Sequence, residues 1–483
     1  MENIYDKKYL QKKEWLGFGL AATAGYMVAG ISQMYLTIFF TDILLLSPTF
    51  ILVLMLVARI WDAINDPIMG IFIDKTKTPY GKMRPYVFIG AILMAVSTIV
   101  LFIPITGASN IGKMVFAAIA YLMFGMIYTL VDVPAMGLMS VATHNGKERS
   151  NLLSFCITIG SVFGLLPMAL YLVLEMFIPK SWTYFVLACI VGIAALVGYM
   201  TLFFTSKERA ATETQKIKVV DMWRIVKNNK PMVLTLLMSM IASPRYIILP
   251  ALMYVATYVV KIDALEPGAV LLVLDLVIGV GMFAGILLTP PLYKKIGYRK
   301  TSIMSGIIGG VGLSLAFIMS KIIPGNVAYY VSFPFMAIGG LGLGAYNILP
   351  YPMVGDSLDY LEWKTGERME GLCFSLNSFV SKFNNAVGFV GVMVALIAFG
   401  FVKPVEQGVP LPQSQKTIDG IFATVTVIPG ISLFLSLIPM LLYDYTGKNR
   451  EKILLELSAK RQEKAKVQEA FAIKSSKLEK ASH

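Results

Sequence analysis

Long apolar blocks separated by short polar segments run the length of the chain. Twelve stand out, at roughly 17–41, 48–73, 85–105, 112–142, 151–178, 182–205, 231–260, 267–292, 301–321, 326–355, 370–401 and 419–445. Each reaches about 20 residues or more, the length a helix needs to cross about 30 Å of hydrocarbon. Alternating segments of about ten residues, the mark of a membrane barrel, are absent. The pattern therefore predicts an all-α integral membrane protein with twelve transmembrane helices. An even number of crossings puts both termini on one side.

The polar segments give the orientation. Alternate segments, beginning with the N-terminus and ending with the tail from 446, hold 33 of the 42 Lys and Arg residues. The opposite loops hold six: Lys113, Lys180, Lys261, Lys321, Lys403 and Lys416. The remaining Arg59, Arg245 and Lys382 lie inside apolar blocks. Basic residues gather on the cytoplasmic side of membrane proteins, so both termini are expected there, in a bacterial inner membrane. No small-residue cleavage site follows the first block, which reads as a permanent helix rather than a leader.

Composition agrees. The chain of 483 residues is 57% hydrophobic and 15% charged, against about a quarter charged for globular domains. The net charge of +13 is explained by basic loops facing anionic lipid headgroups, so membrane lipids and not nucleic acid are the expected macromolecular surroundings. Cys156, Cys189 and Cys373 sit in apolar blocks without metal-ligand spacing. His144 and His483 lie in polar stretches, which excludes a histidine proton relay inside the membrane.

The longest internal polar stretch, 206–230, divides the chain into an N-terminal set of six helices over 1–205 and a C-terminal set over 231–445, followed by a charged tail over 446–483. A basic loop with a glycine turn follows the second helix of each set: Gly70 to Arg84 in the first, Pro291 to Lys300 in the second. Equivalent loops on one membrane side imply two six-helix halves in parallel orientation, the major facilitator architecture. A solute site is then expected near the midplane, between the halves.

A charge at mid-membrane costs about 2.5–3.5 kcal/mol on insertion scales, so the few charges there are informative. The second block carries Arg59, Asp62, Asn65 and Asp66 ahead of Pro67. Arg59, Asp62 and Asp66 share one helix face. Asp62 lies about 16 Å from the cytoplasmic end at about 1.5 Å per residue, close to mid-bilayer. Pro67 frees the carbonyl of Ala63. The fourth block adds Tyr128, Thr129 and Asp132, and the eleventh adds Lys382. Hard cations prefer carboxylate, carbonyl and hydroxyl oxygens. Asp62, Asp66 and Thr129 could hold Na⁺ if the second and fourth helices are neighbours, or one carboxylate could take a proton. Lys382 could stand in for the cation when the site is empty. Arg245, after Pro244, has no acid in its own helix; it is expected to pair with an acid on another helix or to meet an anionic solute group. At the cytoplasmic end of the tenth block, Asp356, Asp359 and Glu362 could form an ionic latch between the halves with Asp74, Arg84, Arg149 and Arg368, or stay solvated.

The run from Arg59 to Gly70 (Arg-Ile-Trp-Asp-Ala-Ile-Asn-Asp-Pro-Ile-Met-Gly), with Gly81-Lys-Met-Arg-Pro85, resembles the glycoside-pentoside-hexuronide:cation symporter family. Tyr128-Thr-Leu-Val-Asp-Val-Pro134, Asp356-Ser-Leu-Asp-Tyr360 and Lys382 match it in order and spacing. The resemblance covers the first eleven helices. It implies a cation site of Asp62, Asp66 and Thr129 with Asn65 and Lys382 adjoining, and Asp132 as the link between cation and bound sugar. Arg59 belongs to the same coupling cluster. Three positions where the resemblance would place sugar contacts hold Ala24, Met136 and, in the fifth block, about Ile157. Tyr26, Tyr128, Asn347, Ser378 and Asn384 are candidate polar contacts to solute, and Arg245 would suit a uronate carboxylate.

The expected activity is symport of a sugar-like solute with Na⁺ or H⁺ by a monomer that needs no cofactor beyond the coupling cation. A transporter of the same fold for an amphipathic, lipid-like solute is the alternative, prompted by the Met- and Leu-rich blocks. A prenyltransferase using Asp-x-x-x-Asp with Mg²⁺ is excluded. Asp62 and Asp66 are mid-membrane while Asp356 and Asp359 are at the surface, so the two acid motifs cannot share a cavity.

Overall fold

The computed structural model describes residues 8–76, 78–105, 107–143, 145–209, 219–262, 265–367 and 369–462. All regular structure there is helical. Up to Thr205 the helices are α1 (Lys12–Ile38, continued by a π-helical turn Phe39–Ile43), α2 (Pro48–Lys75), α3 (Arg84–Leu101), α4 (Asn110–Val141), α5 (Gly146–Phe163), α6 (Leu166–Glu175) and α7 (Lys180–Thr205). A short helix α8 (Val219–Asn228) precedes α9 (Lys230–Ile241), a 3₁₀ turn (Ser243–Ile247), α10 (Ile248–Tyr254) and a π-helical turn (Val255–Val259). Then come α11 (Pro267–Ile296), α12 (Tyr298–Ile322), α13 (Val327–Ile348), α14 (Pro350–Thr365), α15 (Glu370–Ala398), α16 (Gln415–Val425), α17 (Val427–Leu435) and α18 (Leu437–Leu441). Residues 447–462 of the tail are helical too.

Local chemistry sets several of these ends. The Ser47 hydroxyl accepts from the Phe50 amide at 3.3 Å, with Pro48 in the first turn of α2. Ser109, Asn229 and Ser414 cap α4, α9 and α16 in the same way. Gly297, at φ +85°, turns α11 directly into α12.

Among the described residues, nine helical runs are long and apolar enough to cross a membrane. Two bent pairs add to them: Lys230–Ile241 with Ser243–Val259 at 41°, and Gln415–Val425 with Val427–Leu441 at 42°. The first bend falls at Pro244, which cannot donate to the helix ladder. α2, at 28 residues, is about 42 Å long at about 1.5 Å per residue. Large apolar side chains such as Ile89, Val96, Ile119, Val197 and Phe283 are exposed on the outer faces, the inverse of a water-soluble surface.

α1 packs on α5 and α7, and α3 on α4 and α7. In the later part α13 packs on α11 and α12, and α12 on α17. Glycines permit the closest approach: a Cβ added to Gly342 would come within 2.5 Å of the Gly309 Cα, and one on Gly281 within 1.9 Å of the Ala337 carbonyl. The earlier and later helices meet where α1 touches α10, α2 touches α15 and α6 touches α11.

The end of the bundle where α1 begins is here the basal end, and the end reached at Ile43 the distal end. Polar links between the earlier and later helices gather distally. Tyr258 donates to the Asp42 carboxylate, the hydroxyls of Thr41 and Tyr254 lie 2.9 Å apart, and the Gly408 amide donates to the Asp42 carbonyl at 3.1 Å. Lys403 reaches the Leu45 carbonyl, and the Gly268 amide donates to Glu175 at 2.8 Å.

At the basal end the acids of the expected latch meet the tail. Arg450 of the tail clasps Asp356, with Nε 2.9 Å from Oδ2 and Nη2 2.5 Å from Oδ1. Arg461 binds Glu362 at 2.5 Å and Asp359 at 3.0 Å. Trp363 donates to Glu456 at 2.7 Å, and Ile453 and Leu457 of the tail are buried. Of the expected cationic partners, Arg84 and Arg149 make no ion pair with these acids among the described residues. Arg84 donates to the Phe203 carbonyl at 2.7 Å and stacks on the Phe203 ring, while Arg149 is exposed. Arg368 and the Asp74 side chain lie outside the described residues. The acids of α14 are thus neutralised by a basic helix that is next to them in space although about 90 residues further along the chain.

Candidate functional site

A cavity of about 710 Å³ opens between α1, α2, α4 and α15. Its α1 wall is Ala29 to Leu36, about half-way along that helix, and its α15 wall begins at Ser375, close to the basal start of α15. The space thus runs from mid-bundle toward the basal end and stops short of the distal links at Thr41 and Asp42. Its charged lining is Arg59 and Asp62 from α2, Asp132 from α4 and Lys382 from α15.

Arg59 is held at three points. Nη1 lies 3.0 Å from Asp62 Oδ2, three residues on along the helix face. Nη2 donates to the Tyr121 hydroxyl at 3.0 Å, and the guanidinium sits 5.2 Å from the centroid of the Phe389 ring. Asp62 Oδ1 points toward α4, where a Cβ on Gly125 would meet it at 3.2 Å. Glycine at that position lets the carboxylate approach α4. Thr129, one turn beyond, is buried against the cavity. α2 and α4 are therefore neighbours, the condition on which Asp62 and Thr129 could share a cation.

Asn65 is buried, and its Nδ2 finds no partner among the described residues. Asp66 lies in α2 one turn after Asp62, with its side chain outside the described residues. Asp132 faces the cavity and joins no ion pair among the described residues. A carboxylate so placed, in a cavity it shares with Asp62 and with the hydroxyls of Tyr128 and Thr129, offers hard oxygen donors to a cation or hydroxyl acceptors to a polar solute.

The expected solute contacts divide. Tyr128, Asp132 and Ser378 line the cavity. Tyr26 lies outside its wall, with its ring against Gly160, where a Cβ would come within 2.5 Å. Asn347 is half-buried at the end of α13. Asn384 is buried and donates to the Ser239 hydroxyl at 3.0 Å.

Arg245 is not part of the cavity lining. It is buried and meets no carboxylate among the described residues. Nη1 donates to the carbonyls of Ala242 at 2.9 Å and Ser239 at 3.3 Å, and the guanidinium lies 4.6 Å from the Tyr246 ring centroid. Those carbonyls lie at the C-terminal end of α9, where the bend at Pro244 interrupts the helix ladder. A cation there also faces the negative pole of the helix dipole. Neither an acid on another helix nor a solute group is needed to account for it.

Several polar residues of the site carry no motif. Gln33 and Ser32 line the cavity from α1, and Tyr121 braces Arg59 from α4. Tyr121 stands seven residues before Tyr128, two helical turns along the same face, and that spacing was a readable signal. Asp42, Glu175 and Asp275 are further acids on apolar helices. Asp42 and Glu175 belong to the distal links, and Asp275 is half-buried on α11.

Comparison with known proteins places this geometry. A family model described as MFS/sugar transport protein matches residues 17–447. The chain is 28% identical over 472 residues to the uncharacterized symporter YjmB of Bacillus subtilis (strain 168), covering 95% of this chain and 98% of that one. It is 28% identical to the isoprimeverose transporter of Lactiplantibacillus pentosus, covering 95% and 94%. To the putative glycoside/cation symporter YagG of Escherichia coli (strain K12) it is also 28% identical, covering 93% and 95%. Among solved structures, a bacterial homolog of the human lysosomal transporter Spinster, inward-facing and unoccupied, superposes with a TM-score of 0.63 at 13% identity, covering 90% of this chain and 97% of that one. The nucleoside transporter NupG does so with 0.61 at 13% identity, covering 90% and 100%. With a charged cavity among apolar helices and a family match over nearly its whole length, the chain belongs to the MFS/sugar transport protein family and is a membrane transporter, not an enzyme.

Proposed function

We propose that this protein is a secondary symporter that moves a sugar or glycoside together with Na⁺ or H⁺ by alternating access. The observation that carries the proposal is the mid-bundle cavity in which Asp62, held by Arg59, and Asp132, which has no ion pair among the described residues, face the same space as Lys382. Charges at that depth are expensive unless they do work. Relatives described as an isoprimeverose transporter and a glycoside/cation symporter support the solute class and the cation. The sequence motifs of the glycoside-pentoside-hexuronide:cation symporters support the assignment of Asp62, Asp66 and Thr129 to the cation, with Asn65 adjoining.

The proposed molecule has twelve spans in two halves, 1–205 and 231–445, with both termini cytoplasmic. α2 and the two bent runs complete the twelve. The distal links then lie on the outer side of the membrane and hold that mouth shut, while the cavity faces the cytoplasm. Cation binding raises solute affinity, and the coupling is reciprocal, about 1–3 kcal/mol.

Heat of binding tests this. Purified protein is titrated with simple glycosides with and without Na⁺ at fixed pH. Glycoside affinity that rises with Na⁺ supports sodium symport, and a dependence on pH instead of Na⁺ supports proton symport. No binding of any glycoside sinks the sugar assignment in favour of an amphipathic solute. Asp66→Cys is expected to abolish uphill uptake, and an Asp66→Cys protein that still accumulates solute would rule out the cation site.

A further inference from the structure

We infer that Asp275 of α11 is a proton-binding site between the earlier and later helices, protonated while the distal mouth is shut and ionised when it opens. The site lies outside the solute cavity, and only its link to the mouth rests on the alternating-access reading above. Asp275 stands eight residues after Pro267, in an apolar run long enough to cross a membrane. At about 1.5 Å per residue it is about 12 Å in from the distal end. Its carboxyl joins no hydrogen bond or ion pair among the described residues. An acid at such a depth is costly, and acids so placed are kept for function.

Asp275 faces the earlier helices. Gly268 lies two turns before it on the same face of α11, and a Cβ there would come within 2.4 Å of Glu175 Oε2 and 3.0 Å of the Tyr171 ring, both on α6. Tyr35 of α1 stacks on Tyr171 at 4.7 Å. Its hydroxyl is buried, has no hydrogen-bond partner among the described residues, and lies within electrostatic reach of Glu175 and Asp275. The helices packed on α11 offer no cation at that depth. Their titratable groups are Tyr171 and Glu175 on α6, Tyr254 and Tyr258 on α10 and the turn after it, and only tyrosines on α13. α12 has cations in its first and last turns alone, with Lys321 bound to Asp419, and those of α11 itself are in its last turn. Lys180 is shared between Glu175 at 3.8 Å and Glu266 at 3.5 Å.

An unpaired carboxyl kept from water holds its proton, because the neutral form avoids the cost of burying a charge. One carboxyl and one phenol offer too few oxygens to hold a metal cation instead. The bond from the Gly268 amide to Glu175 closes the space two turns above Asp275. Parting it admits distal water to this face and favours the ion. The shut state therefore binds the proton more tightly than the open one. By reciprocity the proton favours the shut state, so acid closes the distal mouth and alkali opens it.

Two measurements without solute test this. Infrared spectra of the full-length protein in lipid at neutral pH are expected to show a protonated-carboxyl band that Asp275→Asn removes. Asparagine is close in size to the neutral acid, so the variant is expected to fold. Bands unchanged by the substitution overturn the inference. The second measurement follows a thiol introduced by Ser378→Cys, in a background with Cys156, Cys189 and Cys373 changed to serine. A membrane-impermeant maleimide is applied in vesicles of both orientations. Each rate is divided by that of the protein unfolded in dodecyl sulfate at the same pH, which removes the ionisation of the thiol itself. Between about pH 5 and about pH 9 the distal-side rate is expected to rise roughly fivefold or more, and by less than about twofold in Asp275→Asn. Asp275→Glu is expected to restore the rise. An equal rise in Asp275→Asn overturns the inference, and so does a flat rate in the protein that keeps Asp275. A thiol reached only from the basal side at every pH would sink the alternating-access reading, and the link to the mouth with it.

Discussion

Tyr121 illustrates how much one hydroxyl can decide inside a low-dielectric site. It takes Arg59 Nη2 at 3.0 Å, leaving only Nη1 on Asp62. Without that hydroxyl the guanidinium is free to swing both of its ends onto the carboxylate, in the bidentate geometry arginine favours. It would then compete with a coupling cation for Asp62. Tyr121→Phe is therefore expected to weaken cation binding by roughly fivefold, corresponding to about 1 kcal/mol for one hydrogen bond, with little change in melting temperature. Titration of Na⁺ against the purified variant checks this, and tighter cation binding would reverse the role given to Tyr121. A second residue acts outside the membrane. Glu148 accepts from the Thr143 hydroxyl at 2.6 Å and from the Tyr9 and Leu10 amides at 3.0 Å each, tying the N-terminal segment to the start of α5. Burial pushes its carboxyl up, but these hydrogen bonds outweigh burial and hold it below the usual carboxylate range. A depressed folded-state value gives stability that is present at neutral pH and is lost as pH falls through it. Glu148→Gln is expected to lower the melting temperature at pH 7, with the gap to wild type closing below about pH 4. A gap of constant size would mean that the charge itself contributes nothing.

At the scale of elements, hydropathy alone placed most of the helices. The apolar block 112–142 is α4, Asn110–Val141, and the block 182–205 is α7, Lys180–Thr205. What it could not place are features set by packing across the chain. The tenth block ends at 355 because Asp356, Asp359 and Glu362 read as a polar loop, yet α14 carries them on to Thr365. The tail helix that neutralises them is remote in sequence. Asp275 escaped notice because it stands alone in a uniformly apolar run, and Asp42 because it sits at the edge of a block. The α2 cavity charges, in contrast, were legible, since Arg59 and Asp62 stand at helical spacing in an apolar block. The bend between α9 and α10 was half legible: Pro244 marks it, but only the fold reveals that Arg245 serves the break. Arg245→Met would remove the guanidinium donor from the Ser239 and Ala242 carbonyls, leaving Ala242 only the residue 245 amide, at a cost of about 1–3 kcal/mol. The variant is expected to melt at a lower temperature while binding a neutral glycoside within about threefold of wild type, by calorimetry on the same preparation. A loss of a hundredfold or more in affinity at unchanged stability would return Arg245 to the solute site.

For the whole molecule the question is what holds one mouth shut. The distal links are few and polar, joining Asp42 to Tyr258 and Gly408, Thr41 to Tyr254, and Glu175 to Gly268. Each joins an earlier helix to a later one, so each must break if the distal mouth is to open. Among the described residues, the basal acids Asp356, Asp359 and Glu362 are held by Arg450 and Arg461 of the tail, a tie within the later part of the chain. The balance between mouths thus depends on a handful of hydrogen bonds, and a transporter that cycles needs those two states within a few kcal/mol of each other. Losing one bond worth about 1 kcal/mol shifts such an equilibrium roughly fivefold. Tyr258→Phe removes the donor to Asp42 and leaves the ring packed against Phe401. A thiol introduced by Ser378→Cys, in a background with Cys156, Cys189 and Cys373 changed to serine, reports how often the cavity is open basally. Tyr258→Phe is expected to speed its modification by a membrane-impermeant maleimide from the distal side by up to about fivefold, and to slow modification from the basal side by a smaller factor because the basally open state starts as the majority. If neither rate changes, the Asp42–Tyr258 bond does not set the balance. Modification that quickens from the basal side would mean instead that the bond belongs to the opening of that mouth.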